Sequence, residues 1–167
     1  MNRLHRYNIM IDLGPQQDAI KEKYSKDYYH SPQCLAEVAA LWGIDINQEA
    51  NQHGVFKDYE TETISAGAGS RHYAEIHLAQ APNGLWAAGS SYVTPISGAA
   101  CGPSIWSPHA YESRQEARNA AIDSSIQGLE HARNRTDSCQ TQSNIDGCNK
   151  LIQLLQNARY QQLSLFD

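Results

Sequence analysis

Apolar residues in the first third of the chain recur with the spacing of amphipathic helices. Residues 16–29 follow a glycine–proline start signal and carry apolar side chains three and four positions apart, which predicts a first helix. A second helix is predicted from Pro32, and Gly43 is placed to end it. Residues 45–62 are polar and acidic without a clear period, so they indicate a connector.

The spacing changes to two in the middle of the chain. Ala74, Ile76 and Leu78 alternate with residues of more polar character, which is typical of a strand with one buried face. A Pro-Asn-Gly turn at residues 82–84 and an apolar-rich stretch at residues 85–93 follow. Together these segments predict a β-hairpin.

Two further helices are predicted in the second half. Ser113 and Glu116 have the Ser-x-x-Glu spacing of a capping box, which begins a helix that ends near Arg133. Residues 94–110, which are rich in glycine and proline, form the loop before it. A last helix with an apolar stripe is predicted over residues 145–161.

These elements predict an α+β fold in which a small antiparallel sheet packs against helices. We expect a single α+β domain over residues 1–161, because this length is sufficient for one buried core. Residues 1–64 supply a helical portion and the acidic connector, and residues 65–161 supply the hairpin and two helices. The C-terminal helix is followed by an extended tail, residues 162–167.

Composition narrows the classes of partner. The net charge is −5 and only 19% of residues are charged, so there is no global attraction to nucleic acid or to an anionic membrane. The four cysteines are too sparse for a disulfide framework, and no apolar run suggests a signal peptide or a membrane span. We therefore expect a cytoplasmic protein with reduced thiols and no membrane partner.

The tail combines large apolar side chains with an amide and lacks glycine and proline. Its residues are Gln162, Leu163, Ser164, Leu165 and Phe166. This Gln-Leu-Ser-Leu-Phe sequence resembles the pentapeptide by which bacterial polymerases and repair proteins bind the sliding clamp, the beta subunit of the replicase. In such a peptide an amide bonds at the rim of a pocket while a leucine and a phenylalanine fill an apolar cleft.

The resemblance implies a non-enzymatic accessory or regulatory protein that binds the clamp and reaches DNA only indirectly. It is compatible with a phage- or plasmid-encoded protein that modulates host replication. Two outcomes remain open. The tail either recruits residues 1–161, the body of the protein, to replicating DNA, or it occupies the pocket of the clamp and so excludes host polymerases. The structural alternative is that Leu163, Leu165 and Phe166 complete the core of the protein itself.

A second resemblance is more general. Residues 73–129 are similar in layout to small β-β-α modules of phage and plasmid proteins, some of them associated with DNA modification. An alternative function is therefore a nucleic-acid-binding or modification-associated body that the clamp localises to DNA. Such a body would need a basic face, and its candidate residues are Arg71, Arg114, Arg118, Arg133 and Arg135.

Metal chemistry is weakly indicated. His30 and Cys34 form one possible half-site, and His131, Cys139 and Cys148 form a loose second group. No Cys-x-x-Cys sequence is present, so we predict no metal site and no cofactor.

Catalysis is also weakly indicated. Cys101 or Ser104 could pair with His109 in one loop, but residues so close in sequence rarely reach the geometry of a nucleophile and its base. A small enzyme that uses this loop is a third interpretation, and we predict no catalytic residues.

Three other segments suggest contacts with nucleic acid. The glycine-rich residues 67–71 could bind a phosphate, and residues 35–43 have the rhythm of the first half of a helix-turn-helix. Lysines and tyrosines alternate over residues 21–29, as in proteins that bind single strands. We prefer to interpret residues 67–71 as a connector, residues 35–43 as a packed helix and residues 21–29 as a solvated helix face.

Overall fold

The computed structural model describes residues 10–161. Its α-helices are α1 (Gly14–Glu22), α2 (Pro32–Ala40), α3 (Ile46–Glu49), α4 (Arg114–Arg133) and α5 (Gln142–Gln161), and a 3₁₀ helix spans Ser25–His30. Its strands are β1 (Met10–Asp12), β2 (Glu60–Ser65), β3 (Tyr73–Gln80), β4 (Trp86–Val93), β5 (Gly98–Cys101) and β6 (His109–Tyr111).

The strands form one antiparallel sheet. Its hydrogen-bonded order is β1-β6-β4-β3-β2, and β5 pairs with β4 outside this path. Met10 lies opposite Tyr111, Trp86 also lies opposite Tyr111, and Ser90 lies opposite Cys101. The predicted α+β fold with an antiparallel sheet is confirmed.

Two compact units can be distinguished in the chain. Unit 1 contains the described residues up to Tyr59 together with Leu78–Ala88 and Pro103–Ala117. Unit 2 contains Glu60–His77, Gly89–Gly102 and the described residues from Arg118 onward. The single domain over residues 1–161 stays a prediction, and one cooperative unfolding transition would confirm it.

The helices of unit 1 begin where their side chains can satisfy free backbone amides. Ser31 caps α2, because its Oγ accepts from the Cys34 amide at 3.2 Å, and Pro32 follows as the first helical residue. Asp45 caps α3 by accepting from the Asn47 amide at 3.0 Å. Gly43 has a φ of +65°, so it suits the turn that ends α2.

Trp42 lies at the centre of the unit 1 core. Its side chain is fully buried and packs edge-on against Phe56, with ring centroids 5.8 Å apart. The indole N–H donates to the Ile105 carbonyl at 3.0 Å, and the buried Gln17 amide donates to the same oxygen at 3.0 Å. Two distant segments are thus joined at one loop carbonyl, while apolar burial supplies most of the stabilisation.

In unit 2, the helical residues that face inward are small or aliphatic. Ala121, Ile122 and Leu129 of α4 are buried, as are Leu151 and Leu155 of α5. Ala74 and Ile76 of β3 are buried as well, in agreement with the period-two pattern.

Helix α4 begins as the sequence predicts. The Ser113 hydroxyl accepts from the Glu116 amide at 3.2 Å, and the Glu116 carboxylate accepts from the Ser113 amide at 3.1 Å. These two bonds are the capping box, and they satisfy two amides that the helix itself leaves without partners.

Three local predictions need correction. The helix expected over residues 16–29 ends at Glu22, and a 3₁₀ helix with a non-helical Asp27 follows it. The connector at residues 45–62 contains α3 and the start of β2, and the loop at residues 94–110 contains β5 and most of β6. These short strands lack the length that a periodic pattern needs to be recognised.

Candidate functional site

The predicted clamp-binding residues lie outside the described part of the chain. They are Gln162, Leu163, Ser164, Leu165 and Phe166, and they follow directly after Gln161, the last residue of α5. The clamp site therefore stays a prediction. What the structure describes is how α5, the helix that leads to these residues, is held in unit 2.

Contacts hold α5 close to its last turn. Arg159 donates to the Asp123 carboxylate of α4 at 2.8 Å, and Arg118 donates from Nη1 to the Ala158 carbonyl at 3.1 Å. Ala158 is among the last four residues of the helix, whose carbonyls have no partner inside the helix. A guanidinium at this end also opposes the negative end of the helix dipole. The helix is thus fixed in unit 2 to within a few residues of Gln162.

Arg118 was one of the five residues proposed for a basic face, and its environment is internal. Its side chain is only 6% exposed, and Nε and Nη2 each donate to the Glu62 carboxylate at 2.7 Å. This two-point pairing is the strongest geometry for such an ion pair. The charge of Arg118 is therefore neutralised within unit 2 and serves the attachment of α5.

The other four arginines have different settings. Arg135 pairs with Asp137 at 2.6 Å and donates to the Ile96 carbonyl at 3.3 Å, while Arg133 donates to Asn149 at 3.1 Å. Arg71 is exposed in unit 2. Arg114 is half-buried at the start of α4, in a part of the helix that belongs to unit 1. A shared basic face stays a prediction, and two of its five candidates bind carboxylates.

A chain of polar side chains crosses three strands in unit 2. Thr61 Oγ1 lies 3.0 Å from His77 Nδ1, and Ser91 Oγ lies 3.4 Å from His77 Nε2. Ser91 Oγ in turn donates to the Glu75 carboxylate at 2.9 Å. His77 and Ser91 are both buried. The alternation of β3 predicts that Glu75 and His77 share a face, but the sequence gives no signal for their partners on β2 and β4.

The hydrogen bonds among these four side chains can all be donated in one direction, from Thr61 towards Glu75. With a proton on Nε2, Thr61 donates to His77, His77 donates to Ser91, and Ser91 donates to the carboxylate of Glu75. A serine, a histidine and a glutamate occur together, yet the Glu75 carboxylate accepts from Ser91 and lies 3.8 Å from Nε2 of His77, on the serine side of the ring. Nδ1, which would face the carboxylate in a nucleophilic triad, faces Thr61 instead, so this is not the order of such a triad. The arrangement can orient and polarise the buried side chains of His77 and Ser91.

A cavity of about 800 Å³ lies in unit 1. Its floor includes the buried residues Leu35 and Ala50. Its rim is polar and exposed, and includes His30, His53 and Lys57. The sequence pattern indicates His30 only as a possible metal ligand, and no motif predicts this group of side chains.

One wall of the cavity is Tyr29, which is 53% exposed. Its ring centroid lies 4.3 Å from that of Tyr28 and 4.9 Å from that of Trp106. A hydrogen bond to Tyr29 is the main cause that raises the pKa of Tyr28, with burial next. The Tyr29 ring is thus exposed to solvent but packed against Tyr28 and Trp106.

The lysines beside these tyrosines have acidic neighbours. Lys21 pairs with Asp18 at 3.2 Å and lies 5.7 Å from the centre of the Tyr28 ring. Lys23 pairs with Glu37 at 2.7 Å, and Glu37 also accepts from the Tyr24 hydroxyl. The bonds from Lys23 and Tyr24 lower the pKa of Glu37. This part of the face agrees with the preferred interpretation of a solvated helix surface.

The thiols fall into two classes. Cys34 and Cys148 are buried, and burial raises the pKa of each thiol, whereas Cys101 and Cys139 are exposed. Among residues 10–161, no group of three or more His, Cys, Asp or Glu side chains is arranged to hold a metal ion.

The residues of the proposed catalytic loop have separate partners. Ser104 donates to the Gly54 carbonyl at 3.1 Å in unit 1. Cys101 belongs to β5 in unit 2, where it lines a cavity of about 310 Å³ together with His131. His109 belongs to β6 in unit 1.

No helix within the described residues combines the length and the apolar character needed to cross a membrane. Comparison of this chain with protein-family models, with curated proteins and with solved structures finds no match.

Proposed function

We propose that this protein is a non-enzymatic accessory or regulatory factor that binds the bacterial sliding clamp through Gln162, Leu163, Leu165 and Phe166. The observation that carries the proposal is the Gln-Leu-Ser-Leu-Phe sequence of residues 162–166. Ser164 separates the two apolar groups and offers no large side chain. The protein reaches replicating DNA through the clamp and not through its own net charge of −5.

The energetics favour a moderate affinity. Burial of each large apolar side chain contributes about 1.5–3 kcal/mol, and ordering a peptide on binding offsets several kcal/mol of the sum. The net result corresponds to a dissociation constant of about a micromolar. Such an affinity suits a factor that exchanges with other proteins on a shared pocket.

The contacts of α5 support a fixed starting point for the peptide that follows this helix. Arg159–Asp123 and Arg118–Ala158 hold the helix close to its end, so the peptide would start from a defined position on unit 2. A partner bound to residues 162–166 would then lie near the unit 2 surface. A fixed starting point for the peptide is compatible with both outcomes, recruitment of residues 1–161 to the clamp and occupation of the clamp pocket.

Binding of purified clamp to the full-length protein tests the proposal. A variant that combines Leu165→Ala with Phe166→Ala removes both apolar anchors, so binding should weaken at least a hundredfold, from the burial energies of two large side chains. Lys150→Gln, on α5 and outside the peptide, is the control and should bind as the original does. Equal binding by the double variant and the original would exclude this mode of recognition.

The stability of the double variant separates the clamp hypothesis from the core alternative. If residues 163, 165 and 166 bind a partner, the melting temperature should change by less than about a degree. If they complete the core, the loss should reach several kcal/mol, as for other truncations of buried side chains.

A primer-extension assay that depends on the clamp distinguishes recruitment from inhibition. Excess protein should slow synthesis by mass action if it occupies the polymerase pocket. A peptide of residues 162–167 should then act in the same direction at higher concentration. Clamp binding without any effect on synthesis would identify the peptide as a recruitment signal.

A further inference from the structure

The cavity of unit 1 has a sign of charge opposite to that of the chain. Its lining includes His30, His53 and Lys57, and no carboxylate is among its described lining residues. The chain as a whole has a net charge of −5. A site with only basic or neutral side chains on such a protein attracts an anion locally, because exposed charges beyond about 10 Å are largely screened.

The basic rim is held in place by bonds within the unit. Lys57 Nζ donates to the Asn47 carbonyl at 2.7 Å, which orders the side chain and leaves two of its N–H groups for a ligand. Asn51 Oδ1 accepts from the His53 amide at 2.9 Å and from the Val55 amide at 3.1 Å. The loop that carries His53 is thus a fixed turn, and an ordered site loses little freedom when a ligand binds.

The neighbouring carboxylate of Glu49 has a different task. It accepts from the Asp45 amide at 2.9 Å, at the start of α3. Glu49 is bonded to Lys57 through its backbone carbonyl, which accepts from the Lys57 amide at 2.9 Å. This acidic side chain therefore serves the helix terminus and does not line the cavity.

Tyr29 adds an aromatic surface to the same cavity. Its ring is supported by Tyr28 and Trp106, and the Trp106 indole is itself fixed by donation to the His53 carbonyl at 3.1 Å. A ring that packs against two other rings and is still 53% exposed can stack with a further aromatic ring. The indole bond also links the aromatic wall to the turn that carries one of the basic side chains.

An aromatic surface beside a basic rim matches one ligand chemistry, a planar ring joined to a phosphate. We propose that the cavity binds a nucleotide unit, with the base stacked on Tyr29 and the phosphate near His53 and Lys57. The volume of about 800 Å³ lies within the range of small-molecule sites and admits a nucleotide with its water. The unit comes either from a free nucleotide or from a single strand of nucleic acid. The proposal uses residues of unit 1 alone and is independent of clamp binding.

The test compares three probes on the full-length protein at low salt. They are a thymidine monophosphate, an oligothymidylate of about ten nucleotides, which is within the site size of single-strand binding proteins, and a duplex of the same length. Binding of the monophosphate and the oligonucleotide with similar affinity identifies a free nucleotide as the ligand. Binding of the oligonucleotide alone identifies a single strand, and binding of neither overturns the proposal.

Tyr29 variants test the stacking. Tyr29→Ala should weaken binding about tenfold or more, as for other base-stacking aromatics, whereas Tyr29→Phe keeps the ring and should bind as the original does. Tyr59→Ala removes another exposed tyrosine, one that does not line the cavity, and serves as the matched control. An unchanged affinity in a folded Tyr29→Ala protein would overturn the proposal.

Lys57 variants test the phosphate contact. Lys57→Gln should lower affinity and reduce the dependence of binding on salt by about one phosphate contact, while Lys150→Gln in unit 2 should change neither. The variant with Leu165→Ala and Phe166→Ala should bind the nucleotide probes normally. A failure of this site and a failure of the clamp proposal are therefore separate results.

Discussion

In unit 1 two buried side chains donate to one backbone carbonyl, whereas in unit 2 two buried side chains bind other polar side chains. Gln17 and Trp42 of unit 1 share the Ile105 carbonyl. In unit 2, Arg118 binds Glu62, and His72 Nε2 lies 3.1 Å from Asn144 Oδ1. A carbonyl with two donors keeps a partner when one is removed, but a paired side chain does not. The two units should therefore respond differently to loss of one polar group.

The largest expected effect is loss of bulk in the unit 1 core. Trp42→Ala removes a fully buried side chain, so the free energy of unfolding should fall by about 3–5 kcal/mol in urea titrations. Trp42→Phe is the matched control. It keeps a ring, and Ile105 O keeps its bond from Gln17, so the loss should be clearly smaller. Equal losses in the two variants would mean that the hydrogen bond, and not the packing, dominates.

The corresponding change in unit 2 is Arg118→Met. It leaves the Glu62 carboxylate without its two-point partner and removes a donor from the Ala158 carbonyl, so we expect a loss of about 2–4 kcal/mol. Glu62 is 38% exposed and can regain water, which keeps the loss below that of a fully buried pair.

The control for this change is the exposed pair of Arg135 and Asp137. Asp137→Asn should cost less than about 1 kcal/mol, because both side chains are at least a third exposed to solvent. A double variant with Arg118→Met and Glu62→Gln should regain part of the loss of the first. If it regains nothing, the bond to Ala158 and the packing of the arginine are more important than the ion pair.

A glycine in α5 allows close packing in unit 2. A Cβ at Gly147 would lie 2.3 Å from the ring of His72, which is buried and bonded to Asn144. Alanine favours a helix by about 1 kcal/mol, but overpacking costs about 1–3 kcal/mol, so Gly147→Ala should be net destabilising in thermal unfolding. When Gly147→Ala is combined with His72→Ala, this clash should disappear. If Gly147→Ala alone stabilised the protein, the close packing of Gly147 against His72 would be contradicted.

Acid should reveal a smaller effect in unit 1. The bonds from Lys23 and Tyr24 hold the pKa of Glu37 below its ordinary value of 4.5 in the folded protein. A lowered pKa contributes stability above pH 4.5 that is lost as pH falls through the folded value. Glu37→Gln should therefore show a weaker dependence of stability on pH in this range. An identical dependence in the variant would show that Glu37 is not ionised differently on folding.

Thiol labelling compares the opening of the two units without changing their stability. Cys101 and Cys139 are exposed and should react first with iodoacetamide, whereas Cys34 and Cys148 are buried with raised pKa values and should react only after opening. Cys34 reports on unit 1 and Cys148 on unit 2. Equal slow rates would support one cooperative domain, and different rates would show that the units open separately.

Periodic segments of the fold could be predicted from the sequence. The capping residues Ser113 and Glu116 bond as their spacing indicates, because a capping box depends only on local geometry. The first helix was predicted to be longer than it is. Tyr28 and Tyr29 pack against Trp106, a residue remote in sequence, and this tertiary contact favours a 3₁₀ turn that local propensity does not indicate.

The site residues were less predictable, since their partners lie far apart along the chain. The sequence indicates Arg118 as a surface cation, but in the structure its side chain is buried and forms an ion pair with Glu62, which belongs to another segment. The cavity is lined by side chains from the 3₁₀ helix, from α2, from α3 and from the segment after α3, and no short motif joins His30, His53 and Lys57. The clamp-like peptide is different because it consists of consecutive residues and can be recognised without a fold.

The shared carbonyl of Ile105 has a consequence for synthesis on the ribosome. Trp42 and Gln17 precede this acceptor by 63 and 88 residues, so both buried donors emerge well before their partner exists. At elongation rates of about 5–20 residues per second, the nascent helices of unit 1 wait several seconds for the segment that completes their core. During that interval Trp42 is exposed to water as an apolar side chain, and a chaperone that binds such surfaces has time to act on the nascent chain.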